Sequence, residues 1–258
     1  MRRKSSLFVF VVLFVVVALA GCIVPPTPAS QPAPAAPEGP KEGVTYKVGF
    51  LAAITGGASF LGVPERDSAI MIQKQLDEQG GIVGPDGVVH KVQILIHDTE
   101  GSGDVTIPVA KKLIDDDKVV GIVGTTRSPT SMALFPVMQE AEVTMVSMAS
   151  SGSIVEPVVE RKWIFKTAQS NKHTAPWQVR YAKTKGLTRI ASFYVNNAYG
   201  EDGAKAIRAA AAAQGVEIVL EETFGAADKD MSGQLTKLKA SDAQALLVTA
   251  IPPGASIL

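Results

Sequence analysis

The sequence predicts an α/β fold that is built as two doubly wound lobes, each around a parallel sheet. From Val44 onwards, apolar strand-like runs alternate with segments of helical periodicity, which is typical of parallel strands joined by right-handed crossovers. Several runs are continuously apolar, as in Leu246-Leu247-Val248, and this suits strands that are covered on both faces. Two such series follow one another, so we expect one lobe over residues 44–168 and a second over residues 169–258.

The chain begins with a segment that is typical of an export signal. Basic residues precede an apolar run from Leu7 to Ala20, which is shorter than the ~20 residues that span a bilayer but fits the core of a secretory signal. The run ends in Leu19-Ala20-Gly21-Cys22, which resembles the lipobox of bacterial lipoproteins. We expect a signal peptide over residues 1–21 and a lipid-anchored protein facing the periplasm or the extracellular side. The alternative is an ordinary secretory signal followed by a chance cysteine.

Residues 22–43 are predicted to be the lipidated Cys22 and a tether. The segment is rich in proline and alanine, as in Pro25-Pro26-Thr27-Pro28, and has almost nothing to bury. Proline favours extended polyproline II conformations, so we expect a semi-rigid spacer between the lipid and the folded part. A proline-rich ligand for another domain is the alternative.

The predicted strands fall into two series that meet near residues 165–168. In the first lobe they are Tyr46–Ile54, Val88–His97, Val119–Val123, Glu142–Ser147 and Trp163–Lys166; in the second they are Arg189–Val195, Val216–Glu221 and Gln244–Ile251.

Proline and glycine positions predict where helices begin and end. Pro64 is expected in the first turn of the helix that follows the first strand, and Gly80-Gly81 is expected to end that helix. An alanine-rich helix over Ala204–Ala213 is expected to end at Gly215.

Charge and motifs exclude several function classes. Without the signal, 22 basic residues stand against 25 acidic ones, a formal charge of −3 that gives no electrostatic footprint for nucleic acid. The histidines are scattered without metal-ligand spacing, so no metal is expected. The sequence contains no GxSxG elbow and no GxGxxG that opens a helix, so we expect neither an enzyme nor a cofactor. The segment from His97 to Glu100 is interpreted as a polar turn, with an acid–base pair as the alternative.

Two hydroxyl-rich loops follow predicted strands, and ligands bind beyond the carboxyl ends of strands in open α/β sheets. In residues 124–131, Ser128 is expected as the N-cap and Pro129 as the first residue of a helix, which leaves free amides for an anion. Simple helix capping explains these residues equally well. In residues 147–153, small residues let backbone and hydroxyl groups face a ligand, although a capping box of Ser153 with Glu156 accounts for some of the serines.

Two further strand ends are candidates for the same site. In residues 55–62, Phe60 or Leu61 is expected to supply an apolar wall, or the segment is a turn alone. In residues 196–200, Tyr199 is expected to reach across a cleft, or to cover the following helix as a rim tyrosine.

These segments resemble the binding proteins of branched-chain amino acid ABC transporters. The resemblance is carried, in order, by residues 47–56 (KVGFLAAITG), 79–84 (QGGIVG), 110–114 (AKKLI), 198–200 (AYG) and 222–224 (ETF). It implies the type I periplasmic binding fold, in which two lobes close around a small ligand like a Venus flytrap. It also implies an amino acid ligand, ABC permease subunits in the membrane as partners, and a monomer.

The resemblance implies roles for five residues. Ser128 matches the serine that binds the ligand's carboxylate, and Ser151 matches a ligand-binding threonine. Ala149 matches a position whose backbone carbonyl receives the ammonium. Tyr199 matches the cleft tyrosine of the second lobe, and Leu61 matches an aromatic wall position.

The chain also departs from the family pattern. Arg127 replaces a small residue and is expected either to add a charge for an anionic ligand or to point to solvent. Ala53 replaces a proline, and Ile251 stands where many relatives have tyrosine, which leaves one carboxylate contact in doubt. The family continues beyond the point that corresponds to Leu258, with further strands and an acidic residue for the ammonium. We therefore expect a fragment with an incomplete second lobe, uncovered apolar edges and weakened affinity.

Capture of a branched-chain or similar small amino acid or amide for an ABC importer is the function that the sequence favours. The alternative is a sensing module of the same fold that reports amide or urea-like solutes to a signalling partner.

Overall fold

The computed structural model describes residues 41–258, and residues 40–258 form one compact unit. The predicted signal peptide over residues 1–21, the predicted lipidation site Cys22 and the predicted tether up to residue 40 lie outside the described residues. The prediction that the tether extends to residue 43 is wrong, because the first strand begins at Lys41. Within residues 41–258, no helix combines the length and the apolar character that a bilayer crossing requires.

Strands and helices alternate along the chain, as the sequence predicts. The strands are β1 (Lys41–Ala52), β2 (Ile82–Val83), β3 (Val88–Asp98), β4 (Gly121–Gly124), β5 (Thr144–Ser147), β6 (Ile164–Lys166), β7 (Arg189–Val195), β8 (Glu217–Phe224) and β9 (Ala245–Thr249). The helices are α1 (Ser59–Glu78), α2 (Gly103–Asp115), α3 (Ser128–Ala133), α4 (Phe135–Ala141), α5 (Asn171–Thr184), α6 (Ala198–Gln214), α7 (Ser232–Ala240) and α8 (Gly254–Ile257). Short 3₁₀ turns lie at Gly56–Ala58, Gly152–Ile154 and Val158–Glu160.

The strands form two sheets. The first has the order β2-β3-β1-β4-β5-β6 and the second the order β8-β7-β9. The pairings of β1 with β3 and β4, of β5 with β4 and β6, and of β7 with β8 and β9 are parallel, which confirms the predicted α/β class. The sheets lie on either side of the boundary predicted after residue 168, and that boundary stays a prediction.

Strand β2 corrects the expectation of a purely parallel first sheet. It pairs antiparallel with β3, and the sequence analysis did not predict it. A tight turn makes the pairing possible, since the amide of Gly84 donates to the carbonyl of Val88 at 2.8 Å and Gly87 adopts a φ of 75°. Two apolar residues between glycine-rich turns are too short a run for a periodicity argument to detect.

The buried parts of the central strands are mainly apolar because both faces of each sheet are covered. On β1, Leu51 packs with Leu113 of α2 and Met138 of α4 on one face of the sheet, while Phe50 packs with Ala69 of α1 on the other. Strand β7 divides in the same way, with Ile190 in one buried cluster and Phe193 in another. Successive side chains of one strand point to opposite faces of the sheet, and apolar side chains on both faces need cover. The doubly wound arrangement provides that cover.

Helix α1 begins earlier than the sequence predicts. It starts at Ser59, so Pro64 lies inside the helix and not in its first turn. The 3₁₀ turn over Gly56–Ala58 leads directly into the helix and fixes this early start. Proline removes the hydrogen bond to the carbonyl four residues earlier, here that of Phe60, and near the start of a long helix the remaining turns tolerate the loss.

Gly62 determines how closely α1 approaches the end of β1. A Cβ built on Gly62 would collide with the backbone of Ala53, including its carbonyl oxygen. Only glycine permits this contact, which brings the first turns of α1 against the strand end.

Asp202 of α6 connects the part of the structure around the second sheet to the loop between β5 and β6 of the first sheet. Its Oδ2 accepts hydrogen bonds from the amide of Gly152 at 3.0 Å and from Nδ2 of Asn171 at 2.8 Å. Its Oδ1 accepts a longer bond, 3.4 Å, from Oγ of Ser153. Because Gly152 and Asn171 are buried, these donors have no ready replacement by water.

The same contacts correct the predicted capping box of Ser153 with Glu156. Ser153 faces Asp202, and Glu156 instead forms an ion pair with Lys172 at the start of α5. A four-residue motif fits local capping, but a carboxylate from a distant helix competes for the same serine.

We predict that Gly62→Ala destabilises the chain by about 1–3 kcal/mol, because the added methyl group must push α1 away from β1. Gly57→Ala is the matched control, since a Cβ there meets nothing within 4 Å. Urea unfolding measures both, and equal midpoints for the two variants would contradict the prediction.

We also predict that Asp202→Ala lowers the free energy of unfolding by about 1–3 kcal/mol, because it leaves buried donors without an acceptor. Asp202→Asn keeps one acceptor oxygen and should lose less. Glu201→Ala, at an exposed neighbouring position, should change stability little. Chemical denaturation followed by circular dichroism tests the series, which fails if the alanine and asparagine variants are both as stable as the parent.

Candidate functional site

A cavity of about 250 Å³ lies beyond the carboxyl ends of strands from both sheets. Loops after β4 and β5, the segments after β7 and β9, and the start of α1 line it. This is the position where parallel α/β sheets bind ligands, because the loops converge there and the strands hold them. Its apolar side chains are Leu61, Met148, Val195 and Ile251, and its polar ones include Glu65, Thr126, Arg127, Ser128, Asn197 and Tyr199.

Four of the five residues that the resemblance implicates line this cavity. They are Leu61, Ser128, Ala149 and Tyr199. Leu61, and not Phe60, is the apolar residue of its segment that faces the cavity.

Ser151 is completely buried and is not among the residues that line the cavity. Its Oγ accepts a hydrogen bond from the amide of Ser153 at 3.2 Å and so caps the 3₁₀ turn over Gly152–Ile154. Its own amide donates to Oγ of Ser128 at 3.2 Å. In this structure, Ser151 therefore contributes to the site by positioning Ser128.

Ser128 lines the cavity, and its hydroxyl group retains a free donor. Its Oγ accepts the amide proton of Ser151, and among the described residues the Ser128 hydroxyl has no acceptor for its own proton. The side chain is almost fully buried. A buried hydroxyl with an unused proton beside a cavity is suited to donate to a ligand oxygen.

The helix start at Ser128 differs from the prediction by one residue. Arg127 occupies the N-cap position, Ser128 is the first helical residue, and the Arg127 side chain makes no capping hydrogen bond. The helix ends after six residues, and α4 begins separately at Phe135, because Pro136 cannot donate a helical hydrogen bond. The short helix has a small dipole, so an anion here depends mainly on side-chain donors.

Four hydroxyl groups of the two loops form hydrogen bonds with one another. Oγ1 of Thr125 lies 2.5 Å from Oγ1 of Thr130 and 3.0 Å from Oγ of Ser131, and Oγ of Ser131 lies 2.7 Å from Oγ of Ser147. Oγ of Ser147 then accepts the amide proton of Ala149 at 3.1 Å. This network joins the loop after β4 to the loop after β5 and fixes the backbone of Ala149.

Glu65 and Thr126 are site residues that the sequence analysis missed. Oγ1 of Thr126 donates to Oε2 of Glu65 at 2.5 Å and accepts the amide proton of Ala53 at 2.8 Å. Burial raises the pKa of the Glu65 carboxyl, and the hydrogen bond from Thr126 opposes that rise only in part. The available signal was the spacing of Leu61 and Glu65, which puts both on one face of α1.

Arg127 is half-buried and lines the cavity. Its Nη1 donates to the carbonyl of Gly101 at 3.1 Å, which orients the guanidinium. Both alternatives that the sequence left open for Arg127, a charge for an anionic ligand or a side chain that points to solvent, stay predictions.

Tyr199 lies where β7 leads into α6. Oδ1 of Asn197 accepts the amide protons of Tyr199 at 3.0 Å and Gly200 at 3.2 Å, which caps the helix and orients its first turn. Burial raises the pKa of the Tyr199 phenol, so at neutral pH the hydroxyl keeps its proton and is a donor.

The polar turn after β3 has a structural role. Oδ1 of Asp98 accepts the amide protons of Ile54 and Thr55, and its Oδ2 accepts the hydroxyl proton of Thr55. Within residues 41–258, no three His, Cys, Asp or Glu side chains are grouped as metal ligands.

Comparisons with a family model, with curated proteins and with solved structures all indicate the same family. A family model described as "Periplasmic binding protein" matches residues 45–258. The leucine-, isoleucine-, valine-, threonine- and alanine-binding protein of Pseudomonas aeruginosa is 23% identical over 203 residues, which are 78% of this chain and 52% of that protein. The chain thus spans about half the length of the curated relatives that it matches.

Solved structures share the fold. An ABC-transporter solute-binding protein from Rhodopseudomonas palustris, crystallised with 4-hydroxybenzoate, has a TM-score of 0.72 and 25% identity and covers 83% of this chain and 56% of its own. A branched-chain amino acid transporter substrate-binding protein from Streptococcus pneumoniae has a TM-score of 0.69 and 24% identity over 79% of this chain and 56% of its own. The resemblance inferred from the sequence is confirmed, and this chain belongs to the periplasmic binding protein family.

Proposed function

We propose that the chain captures a small amino acid in this cavity as the solute-binding component of an ABC importer. The observation that carries the proposal is the free hydroxyl proton of Ser128 at a cavity to which both sheets contribute. A volume of about 250 Å³ suits a small solute, since pockets for drug-sized ligands begin at about 300 Å³. Relatives whose names state leucine, isoleucine and valine support the ligand class.

The lining supplies complementary groups for the two ends of such a ligand. The carboxylate accepts the Ser128 hydroxyl proton and lies near the Arg127 guanidinium, a charge-assisted combination. The backbone carbonyl of Ala149 receives the ammonium, and the apolar groups of Leu61 and Ile251 accommodate an aliphatic side chain. Tyr199 donates its hydroxyl from the α6 side.

The N-terminal segment accounts for how the captured solute is brought to the membrane. Lipidation of Cys22 after removal of residues 1–21 holds the monomer outside the cytoplasm, and the tether up to residue 40 keeps lobes over 44–168 and 169–258 within reach of membrane permease subunits.

An aromatic carboxylic acid is a second candidate ligand. Arg127 adds a formal positive charge beside Ser128, which favours an anion, and one structural relative was crystallised with 4-hydroxybenzoate.

We predict that Ser128→Ala weakens leucine binding by about tenfold or more, because it removes a hydrogen bond to a charged group. Isothermal titration calorimetry measures the dissociation constant, and 4-hydroxybenzoate is titrated in parallel to separate the two ligand classes. Ser68→Ala, on the exposed surface of α1, is the control and should bind like the parent.

An unchanged dissociation constant in Ser128→Ala would remove Ser128 from the site. Tighter binding of 4-hydroxybenzoate than of leucine to the parent chain would favour the aromatic acid.

A further inference from the structure

Glu65 supplies the only carboxyl group among the residues that line the cavity. It lies one turn after Leu61 on the same face of α1 and is half-buried. The family resemblance placed the acidic group for an ammonium in a part of the family pattern that corresponds to positions after Leu258. Glu65 is therefore a negative charge at the site that the resemblance did not assign.

Thr126 holds this carboxyl group in place. The Thr126 hydroxyl donates its single proton to Oε2 of Glu65, while the amide of Ala53 donates to the same hydroxyl oxygen. The orientation of Glu65 is thus fixed from the end of β1 through a threonine at the end of β4. Among the described residues, Oε1 of Glu65 accepts no hydrogen bond.

Glu65 also has no cationic partner within residues 41–258. The neighbouring Arg66 pairs with Asp67 on the surface, and the guanidinium of Arg127 donates to the carbonyl of Gly101. Arg127 and Tyr199 are the other charged or titratable groups that line the cavity. A half-buried carboxylate without a cation is disfavoured, which is consistent with the raised pKa that burial gives Glu65.

We propose that Glu65 receives the cationic group of the ligand and makes the site selective for solutes that carry an ammonium group as well as a carboxylate. The proposal rests on the proposed function and favours its amino acid ligand over the aromatic carboxylic acid, which has no ammonium group. The free Oε1 accepts one ammonium proton, while the carbonyl of Ala149 accepts another, and the ligand's positive charge forms an ion pair with the Glu65 carboxylate. Ser128 and Arg127 bind the ligand's carboxylate. The cavity thus presents the negative charge of Glu65 to the ammonium and the positive charge of Arg127 to the carboxylate.

The decisive comparison uses two probes of the same shape, leucine and 4-methylpentanoate, which is leucine without its amino group. The parent chain should bind leucine at least about tenfold more tightly. In Glu65→Gln, leucine affinity should fall by about tenfold or more while 4-methylpentanoate affinity stays equal or rises. Glutamine is the informative change because its amide oxygen still accepts the Thr126 hydroxyl proton, while the charge is lost and an NH2 donor replaces the free Oε1.

Glu78→Gln is the matched control. It makes the same charge change on the exposed end of α1 and should leave both affinities as in the parent. Equal leucine affinities in the parent and Glu65→Gln would overturn the role of Glu65, and the proposed function would still stand if Ser128→Ala lost leucine. A parent chain that binds neither probe nor 4-hydroxybenzoate would overturn the proposed function and the inference together.

The pH dependence gives a second test. Because the pKa of Glu65 is raised in the ligand-free fold, its charge is lost as pH falls through that raised value. Leucine binding to the parent should weaken over this range, whereas Glu65→Gln should show no such loss.

The stability of the ligand-free chain should depend on pH in the opposite direction from leucine binding. The fold disfavours charged Glu65, so its penalty is present above the raised pKa and disappears below the carboxyl's ordinary value. Glu65→Gln should therefore be at least as stable as the parent at pH 7, with the difference vanishing at low pH. Clear destabilisation at pH 7 would contradict the unpaired charge on which the proposal depends.

Discussion

The hydroxyl contact between Ser131 and Ser147 is the interaction on which the site depends. The parallel pairing of β4 with β5 ends at Val123 and Val146, so beyond that point the ladder's backbone hydrogen bonds no longer hold the two segments together. The buried hydroxyl groups take over this role and keep the two following loops side by side. They cannot exchange their partners for water, because they are buried, and the loops therefore have one favoured arrangement.

This arrangement explains why a hydroxyl-rich sequence exposes few hydroxyl groups to the cavity. The hydroxyl groups in the network use one another as hydrogen-bond partners. Ser128 lies outside the network: the amide of Ser151 donates to the Ser128 oxygen and leaves the Ser128 hydroxyl proton free. The same loops deliver the backbone of Ala149. Across the cavity, Asn197 aims the first turn of α6, and Gly62 lets α1 bring Glu65 close to Thr126. These four chain segments and the segment after β9 thus line one small cavity.

Patterns within single segments predicted most of the fold. Continuous apolar runs located β1, β7 and β9, and Gly215, with a φ of 66°, ends α6 as its sequence position suggests. Local patterns failed where a distant group competed. Ser153 bonds to Asp202 from α6, and Pro64 sits inside α1 because the preceding turn starts the helix early. The two-residue strand β2 is stabilised by its hairpin with β3, and its own residues carry no strand signal.

The sequence by itself determined the α/β alternation and the strand ends that approach the cavity, because these depend on periodicity within short segments. The family resemblance, carried by short motifs, pointed to Leu61, Ser128, Ala149 and Tyr199, and all four line the cavity. Tertiary structure alone decided that Ser151 turns inwards and that Glu65 stands beside Thr126. Those two residues are 61 positions apart in the chain, and their hydrogen bond depends on the packing of α1 against the first sheet. Side-chain partners that meet only through packing leave no periodic trace in the residues that carry them.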